Sequence, residues 1–361
     1  MVPFMSKEFT YAEAGVDRKL RAKSKEALKR LNATYRYSRY GKIIRLPYGN
    51  IFPFGDRYLD FVIEGVGSKV LLAQLADKYD TIGIDAVALA VNDVIRSGAK
   101  PLAVVDNIHA QVSDPHLVDE WVKGIAEGAR EAECFVPSGE IGDVAEVVKG
   151  LIDGKGFDMV VASIGEVTEK DIVYGNDIKP GDVVIGLRSS GIHSNGISLA
   201  RKILFKQWGG KYNTFDIPNG FDKEIVYEVL EPMKIYVKPI MNVLKEAHVK
   251  GLVHITGDAY QKFNRLMEFS KGIGFEFDNF KPQPIFKQIQ DTAKELKKPI
   301  SDEEMLKTFN MGWGFAVVCE KEDEDDVIGS FERSKVEAEV IGRANTSRKI
   351  VATWGRKILI Q

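Results

Sequence analysis

"DAVALAVNDVIRSGAKPLAVVDNIHAQ", residues 85–111, reads as a helix that runs through a Gly turn into a strand. The helical part is apolar around its circumference and yet carries Asp85 and Asp93. A carboxylate in such surroundings is costly unless something positive meets it. Asp85 also admits a plainer reading as a helix N-cap, because it stands directly before "AVALAV". What these two carboxylates face decides how the rest of the chain is read.

Working outward, "YLDFVIEGVGSKVLLAQLA" (58–76) gives a strand at 58–63, a Gly turn and a helix. The strand "KPLAVVDNI" (100–108) follows the opening helix. Leu117, Trp121, Ile125 and Ala129 recur every fourth residue and predict a helix over 116–133. "FDMVVASIGEV" (157–167) predicts another strand. The turn "KPGD" then opens a second set of elements: a strand "VVIGL", helices at 197–208 and 223–248, and strands near 251–256, 273–277 and 314–320. Upstream, residues 17–34 have helical spacing at Leu20, Ala27, Leu28 and Leu31 with a dense basic face, which predicts a solvated amphipathic helix. The run "EKEDEDD" (320–326) is expected to cap another solvated helix. Strands and helices mix without strict alternation, so the expected class is α+β, in two domains, 1–170 and 171–361.

Composition narrows the function. The 361 residues hold 50 basic and 52 acidic side chains, a net charge of −2. That balance argues against nucleic acid or an anionic membrane as the main partner. Two cysteines without ligand spacing exclude a disulfide framework and a Cys-rich zinc site, and point to a reducing compartment. The N-terminal stretch is too polar for a secretory signal, and no apolar run is long enough to span a bilayer. The expected location is the cytoplasm.

Five polar Gly turns abut strands. "EGVGSK" (64–69) offers backbone amides, the Ser68 hydroxyl and Lys69 before a helix, although it has neither P-loop nor dinucleotide spacing. "SSGIHSNG" (189–196) is dense in hydrogen-bonding groups; it suits an anion, or Ser194 or Asn195 simply caps the helix that follows. "PSGEIGDV" (137–144) presents Glu140, and "GLVHITGDAY" (251–260) presents His254, Thr256 and Asp258. "LKTFNMGWGF" (306–315) presents Asn310 in what otherwise reads as a bulge entering a strand. Glu64, Asp85, Asp93 and Glu140 are a poor cradle for phosphate unless a cation intervenes. Carboxylates together with phosphate imply Mg²⁺ bridging to a nucleotide.

The order of these pieces resembles the phosphoribosylformylglycinamidine cyclo-ligase (AIR synthetase) family of purine biosynthesis. The resemblance rests on "TYAEAGVD" (10–17), "EGVGSKVLLA" (64–73), "DTIGIDAVALAVNDVIRSGAKPL" (80–102) and "GEIGD" (139–143). It continues through "PGDVVIGLRSSGIHSNGISLARKIL" (180–204), "EPMKIYVKPI" (231–240), "VHITGDAY" (253–260) and "EEMLKTFNMGWGF" (303–315). It implies ATP-dependent closure of formylglycinamidine ribonucleotide to aminoimidazole ribonucleotide (AIR). It also implies a homodimer in which the N-terminal sheets pair in a barrel-like interface, with a C-terminal α/β sandwich. Carried over by position, Gly65, Gly67, Ser68, Lys69, Asp85, Asn92, Asp93, Ser194, Thr256 and Asn310 would bind ATP. His193, Asn195 and Lys69 would stand nearest the reaction, and Asp93, Glu64 and Glu140 would hold Mg²⁺.

Several ligand-facing positions depart from the family pattern. Glu64 and Ser68 replace an Asp and a Thr, Ser138 and Ile141 replace a Gly and a Thr, and the Gly-rich N-terminal segment reads "LPYGNIFPFGD" (46–56). Asp258 and Ala259 replace two glycines, and a new carboxylate beside phosphate would repel it. These changes support an alternative: a divergent paralogue of the same superfamily that binds nucleotide but acts on another substrate or is inactive.

Overall fold

The structure is a computed structural model that describes residues 8–360. Two sheets organise it. The first contains β1 (Ile44–Leu46), β2 (Gly49–Phe54), β3 (Arg57–Gly65), β4 (Lys100–Ala110), β5 (Gly139–Asp143) and β6 (Phe157–Val167), in the order β1-β2-β3-β6-β4-β5. Only the β4–β5 pair is parallel. The second contains β7 (Val183–Arg188), β8 (Val249–His254), β9 (Gly274–Phe277), β10 (Trp313–Cys319), β11 (Ala338–Asn345), β12 (Ile350–Trp354) and β13 (Arg356–Ile360). Its order is β13-β12-β9-β11-β7-β10-β8, with only β9–β12 parallel. The first sheet is open, ending on β1 and β5, and no closed barrel forms among the described residues. No helix of the described residues is long and apolar enough to cross a membrane.

The helices are α1 (Arg18–Lys25), α2 (Val70–Ala76), α3 (Asp80–Val94), α4 (Pro115–Glu131), α5 (Ile197–Leu204), α6 (Ile225–Leu230), α7 (Val237–Glu246), α8 (Phe263–Phe269), α9 (Pro284–Glu295), α10 (Asp302–Thr308) and α11 (Glu324–Arg333). The helix α4 starts where Asp114 accepts hydrogen bonds from the amides of His116 and Leu117, with Pro115 in the first turn. Its expected core face, Leu117, Trp121, Ile125 and Ala129, is buried. The helix α3 is buried on nearly every side, between the sheet and α4. It begins at Asp80, so Asp85 lies mid-helix and the N-cap reading of Asp85 fails. Likewise Gly196, not a side chain, occupies the N-cap of α5, so neither Ser194 nor Asn195 caps that helix.

Two helices depart from their expected form. The predicted helix over 223–248 is split into α6 and α7 by the non-helical segment 231–236. Pro232 disfavours helical backbone at Glu231, and α3 takes hold of this segment instead. Residues 17–34 do coil, as α1 followed by a tighter 3₁₀ run, Glu26–Tyr37, but Leu20, Leu28 and Leu31 face solvent rather than a core. Elsewhere, β10 enters the sheet through a register shift between Trp313 and Phe315, the bulge expected from its glycines. The acidic run lies at the start of α11, where its charge favours the helix N-terminus.

Glycine permits the closest approach in the core. A Cβ on Gly83 of α3 would stand 2.3 Å from the Ile125 amide nitrogen, and one on Gly124 of α4 would stand 2.1 Å from the Asp80 carbonyl oxygen. The two helices therefore touch backbone to backbone. Gly124→Ala is expected to destabilise the fold by about 3 kcal/mol through overpacking. Urea unfolding followed by circular dichroism measures it, and an unchanged midpoint would mean that the helices separate freely.

Candidate functional site

The buried polar side chains of α3 fall into two groups. The first holds the second half of the chain. Lys69, just before α2, and Asp85 are both inaccessible to solvent and pair at 2.7 Å (Nζ to Oδ2). Lys69 Nζ also donates to the Glu231 carbonyl at 2.9 Å, and Asp85 Oδ1 accepts from the Met233 amide at 2.9 Å. Two turns further along α3, Asn92 donates to the Lys234 carbonyl (2.9 Å) and accepts from the Tyr236 amide (2.8 Å). Burial pushes the Asp85 carboxyl up, while the Lys69 ammonium and the Met233 amide act the other way. Lys69, Asp85 and Asn92, expected at the nucleotide, thus turn inward and staple segment 231–236.

The same segment positions the 189–195 loop. Ser190 Oγ donates to the Pro232 carbonyl, and Tyr236 Oη donates to the Arg188 carbonyl at 3.0 Å. Asn310 completes the frame: Nδ2 donates to the Gly191 carbonyl (2.8 Å), and Oδ1 accepts from the Gly312 amide (2.9 Å) and Ser189 Oγ (3.1 Å). Asn310 therefore holds the loop. His193 sits at φ +61° and its Nε2 accepts from the Ser190 amide (3.2 Å). Burial holds its imidazole well below the usual range, so it is neutral. Its Nδ1 and Asn195 Oδ1 are buried without a hydrogen-bond partner in the fold. Ser194 is close enough to Asp85 to lower its carboxyl, and Ser68 Oγ meets Ser198 Oγ at 3.0 Å.

The second group faces a cleft of about 1390 Å³ between the two sheets and α1. Glu64, Asp93, Asn195 and Thr256 line it, as do Asp60, Arg96, Lys262, Arg18 and Asp258. Asp93 pairs with Arg96 (Oδ2 to Nη2, 2.7 Å) and with His254 Nδ1 (Oδ1, 2.7 Å). Burial raises its carboxyl, but Arg96, Lys262 and His254 together hold it below the usual range. Burial and the neighbouring Asp93 push Glu64 up to about 7. Burial lowers His254 to about 4 against the pull of Asp93, which leaves a neutral ring whose buried Nε2 has no partner. Thr256 Oγ1 accepts from Lys262 Nζ, an ammonium that burial destabilises.

Glu140 stands apart. The register runs Gly65–Val160–Asn107–Glu140 across β3, β6, β4 and β5, which places Glu140 roughly 14 Å from Gly65 at ordinary strand spacing. Glu140 and Glu64 therefore do not converge within one chain. No group of three or more His, Cys, Asp or Glu among the described residues is arranged to hold a metal. The donor set that fits is smaller: Glu64 and Asp93, adjacent carboxylates of which Asp93 raises the cost of ionising Glu64. Mg²⁺ is commonly held by one or two carboxylates plus phosphate oxygens, so this pair suits a metal that arrives with a nucleotide. Gly65 ends β3, and Gly67 takes φ +67° in the turn that delivers Lys69 to Asp85.

Sequence reasoning missed Arg96, Lys262 and Arg18. Each lay within or beside a quoted motif, but only the fold aims them at the carboxylates. Asp258 keeps a left-handed backbone, φ +73°, a conformation that favours glycine, and its carboxylate lies 3.5 Å from Arg18 Nε.

Comparison with known proteins shows the family. Residues 51–167 match the family described as AIR synthase related protein, N-terminal domain, and residues 179–355 match the C-terminal domain. The phosphoribosylformylglycinamidine cyclo-ligase of Methanococcus maripaludis strain C6 is 38% identical over 97% of this chain and 96% of its own length. That of Methanocaldococcus jannaschii is 38% identical over 94% and 93%. The chain belongs to the phosphoribosylformylglycinamidine cyclo-ligase family. The fold itself recurs more widely. The hydrogenase maturation protein HypE has a TM-score of 0.59 at 15% identity, covering 87% of this chain and 90% of that one. T. maritima PurL complexed with ATP has a TM-score of 0.57 at 14% identity, covering 88% and 44%.

Removing one partner of the staple isolates a buried charge. Lys69→Met is expected to destabilise the fold by about 3–5 kcal/mol, whereas Lys69→Met/Asp85→Leu recovers most of that loss. Urea unfolding of the two single variants and the double variant tests it. Additive losses would mean that the two side chains act independently.

Proposed function

We propose that this chain carries out the ring closure of its family: formylglycinamidine ribonucleotide and ATP give AIR, ADP and phosphate. The observation that carries the reading is the cleft itself. Its volume exceeds the 300–1,000 Å³ or so of a usual single-ligand pocket, so it has room for two ligands. It sets paired carboxylates beside Arg96 and Lys262 in a chain that matches the family almost end to end.

The chemistry needs activation of a poor leaving group. The formyl amide oxygen takes the γ-phosphoryl group of ATP and ADP departs. The amidine nitrogen then attacks the same carbon, the new C–N bond forms, and the C–O bond breaks with phosphate leaving; nitrogen loses a proton. Glu64 and Asp93 would hold Mg²⁺, which when bound neutralises phosphate charge. Arg96 and Lys262 supply further positive charge, Asn195 offers an uncharged polar contact to substrate, and the buried, neutral His254 positions Asp93. Bringing the two ends together is itself a large part of the rate enhancement. Residues 1–170 would bind ATP and dimerise, and 171–361 would form the remaining wall. Two unpaired cysteines, Cys134 and Cys319, suit the reducing cytoplasm.

A homodimer is supported by the outer face of the first sheet. Phe61 and Ile63 on β3, which alternate with Glu64 and border the mouth of the cleft, are 60% and 68% exposed. Such an apolar sheet face is what a second copy covers.

Three outcomes are expected. Purified protein should form AIR and ADP in equal amounts; ATP binding without AIR would favour the paralogue that acts elsewhere. In the same assay Glu64→Gln should raise the Mg²⁺ concentration for half-maximal rate at least tenfold. Ile63→Asp should convert a dimer to a monomer in sedimentation equilibrium, and an unchanged mass would place the interface elsewhere.

A further inference from the structure

The helix α1 is an exposed, basic rim of the cleft. Arg18, Arg21, Ala22 and Lys25 all line the cleft, and their spacing of three, four and seven puts them on one helical face. Leu20 lies on the opposite face and is 63% exposed, and no residue of α1 is buried. A surface helix ordinarily turns its apolar face inward and its charges to water. Asp17 caps the helix, accepting from the Leu20 amide, and Lys23 and Lys25 suit the C-terminal turn, but Arg18, Lys19 and Arg21 still crowd the end where the helix dipole disfavours cations. Like charges three and four residues apart add repulsion.

Only part of this charge is matched within the fold. Arg18 contacts Glu304 at 3.0 Å, the Lys307 carbonyl at 2.9 Å, Thr308 Oγ1 at 2.6 Å and Asp258 at 3.5 Å. These contacts lash α1 to α10 and to the 256–258 turn. Arg21 and Lys25 have no carboxylate partner among the described residues, and both face the cleft. Local rules broken together in this way, on a wall of a cleft, mark a place kept for a ligand of opposite charge.

We propose that Arg21 and Lys25 form a phosphate-binding wall that takes the phosphoryl group of a nucleotide entering the cleft. Arg18 is the anchor that fixes the wall, and Asp258 is part of that anchor. The anion has two possible sources, the 5′-phosphate of the ribonucleotide substrate and the phosphate chain of ATP. The identity of the substrate rests on the cyclo-ligase reading; the affinity for a phosphate ester does not.

The test is calorimetric titration of ribose 5-phosphate, and separately of ATP, into the wild-type chain and into Arg21→Ala/Lys25→Ala. A matched control, Lys23→Ala/Arg30→Ala, removes the same charge at exposed positions outside the cleft. At least tenfold weaker binding in the cleft variant alone is expected for one of the two ligands, and that ligand names the source. Equal affinity of the cleft variant and wild type for both ligands overturns the wall. So does equal weakening by the control, which would be a general field effect, and so does a wild type that binds neither. No turnover is measured, so failure of the wall and failure of the ring-closure assay are separate results.

Discussion

The Lys69–Asp85 pair is the interaction on which the arrangement of the two sheets depends. Two charges shielded from water are a liability unless every remaining hydrogen-bonding position is used. Here the Glu231 carbonyl takes one donor of Lys69 and the Met233 amide gives one bond to Asp85, and both belong to the other half of the chain. Asn92 repeats the device two turns on. Such contacts are directional where apolar burial is not, so they select one placement of segment 231–236 against α3. The loop at 189–195 then inherits its position from that segment through Ser190 and Tyr236.

Some backbone strain lies in the loops that frame the site. His193, Asp258, Ala259 and Met311 all occupy left-handed backbone without being glycine. Each costs free energy that surrounding packing has to offset. Gly314 shows how tight that packing is, since a Cβ there would stand 2.2 Å from Tyr236 Oη and 2.6 Å from the His193 ring. The departures at 258–259 fit this picture. A carboxylate is tolerable in the turn because Arg18 faces it, and the left-handed conformation is kept without the glycine.

Much of this was legible in the sequence because it depends on local chemistry. The four-residue spacing of Leu117, Trp121, Ile125 and Ala129 specifies the buried face of α4, and the apolar run in 157–167 specifies β6. The apolar run around Asp85 and Asp93 was correctly read as a helix whose carboxylates need positive partners. The order of motifs sufficed to identify the family. The split of α6 from α7 was harder to see, because the residues that stabilise the non-helical 231–236 lie on α3, some 140 positions earlier in the chain.

What the sequence determined by itself was element type, the core faces and the family, since periodicity and motif order survive without knowledge of contacts. The tertiary structure alone decided which polar groups face the cleft and which bind the protein. Lys69, Asp85, Asn92 and Asn310 carry the same side chains whether they meet phosphate or backbone. Only the fold closes the distances that assign them inward, and only the fold brings Glu64, Asp93, Arg96, Lys262 and α1 around one cleft. The physical reason is range: local patterns are read over a few residues, whereas the pairing of charges in a cleft requires chain segments that meet in space.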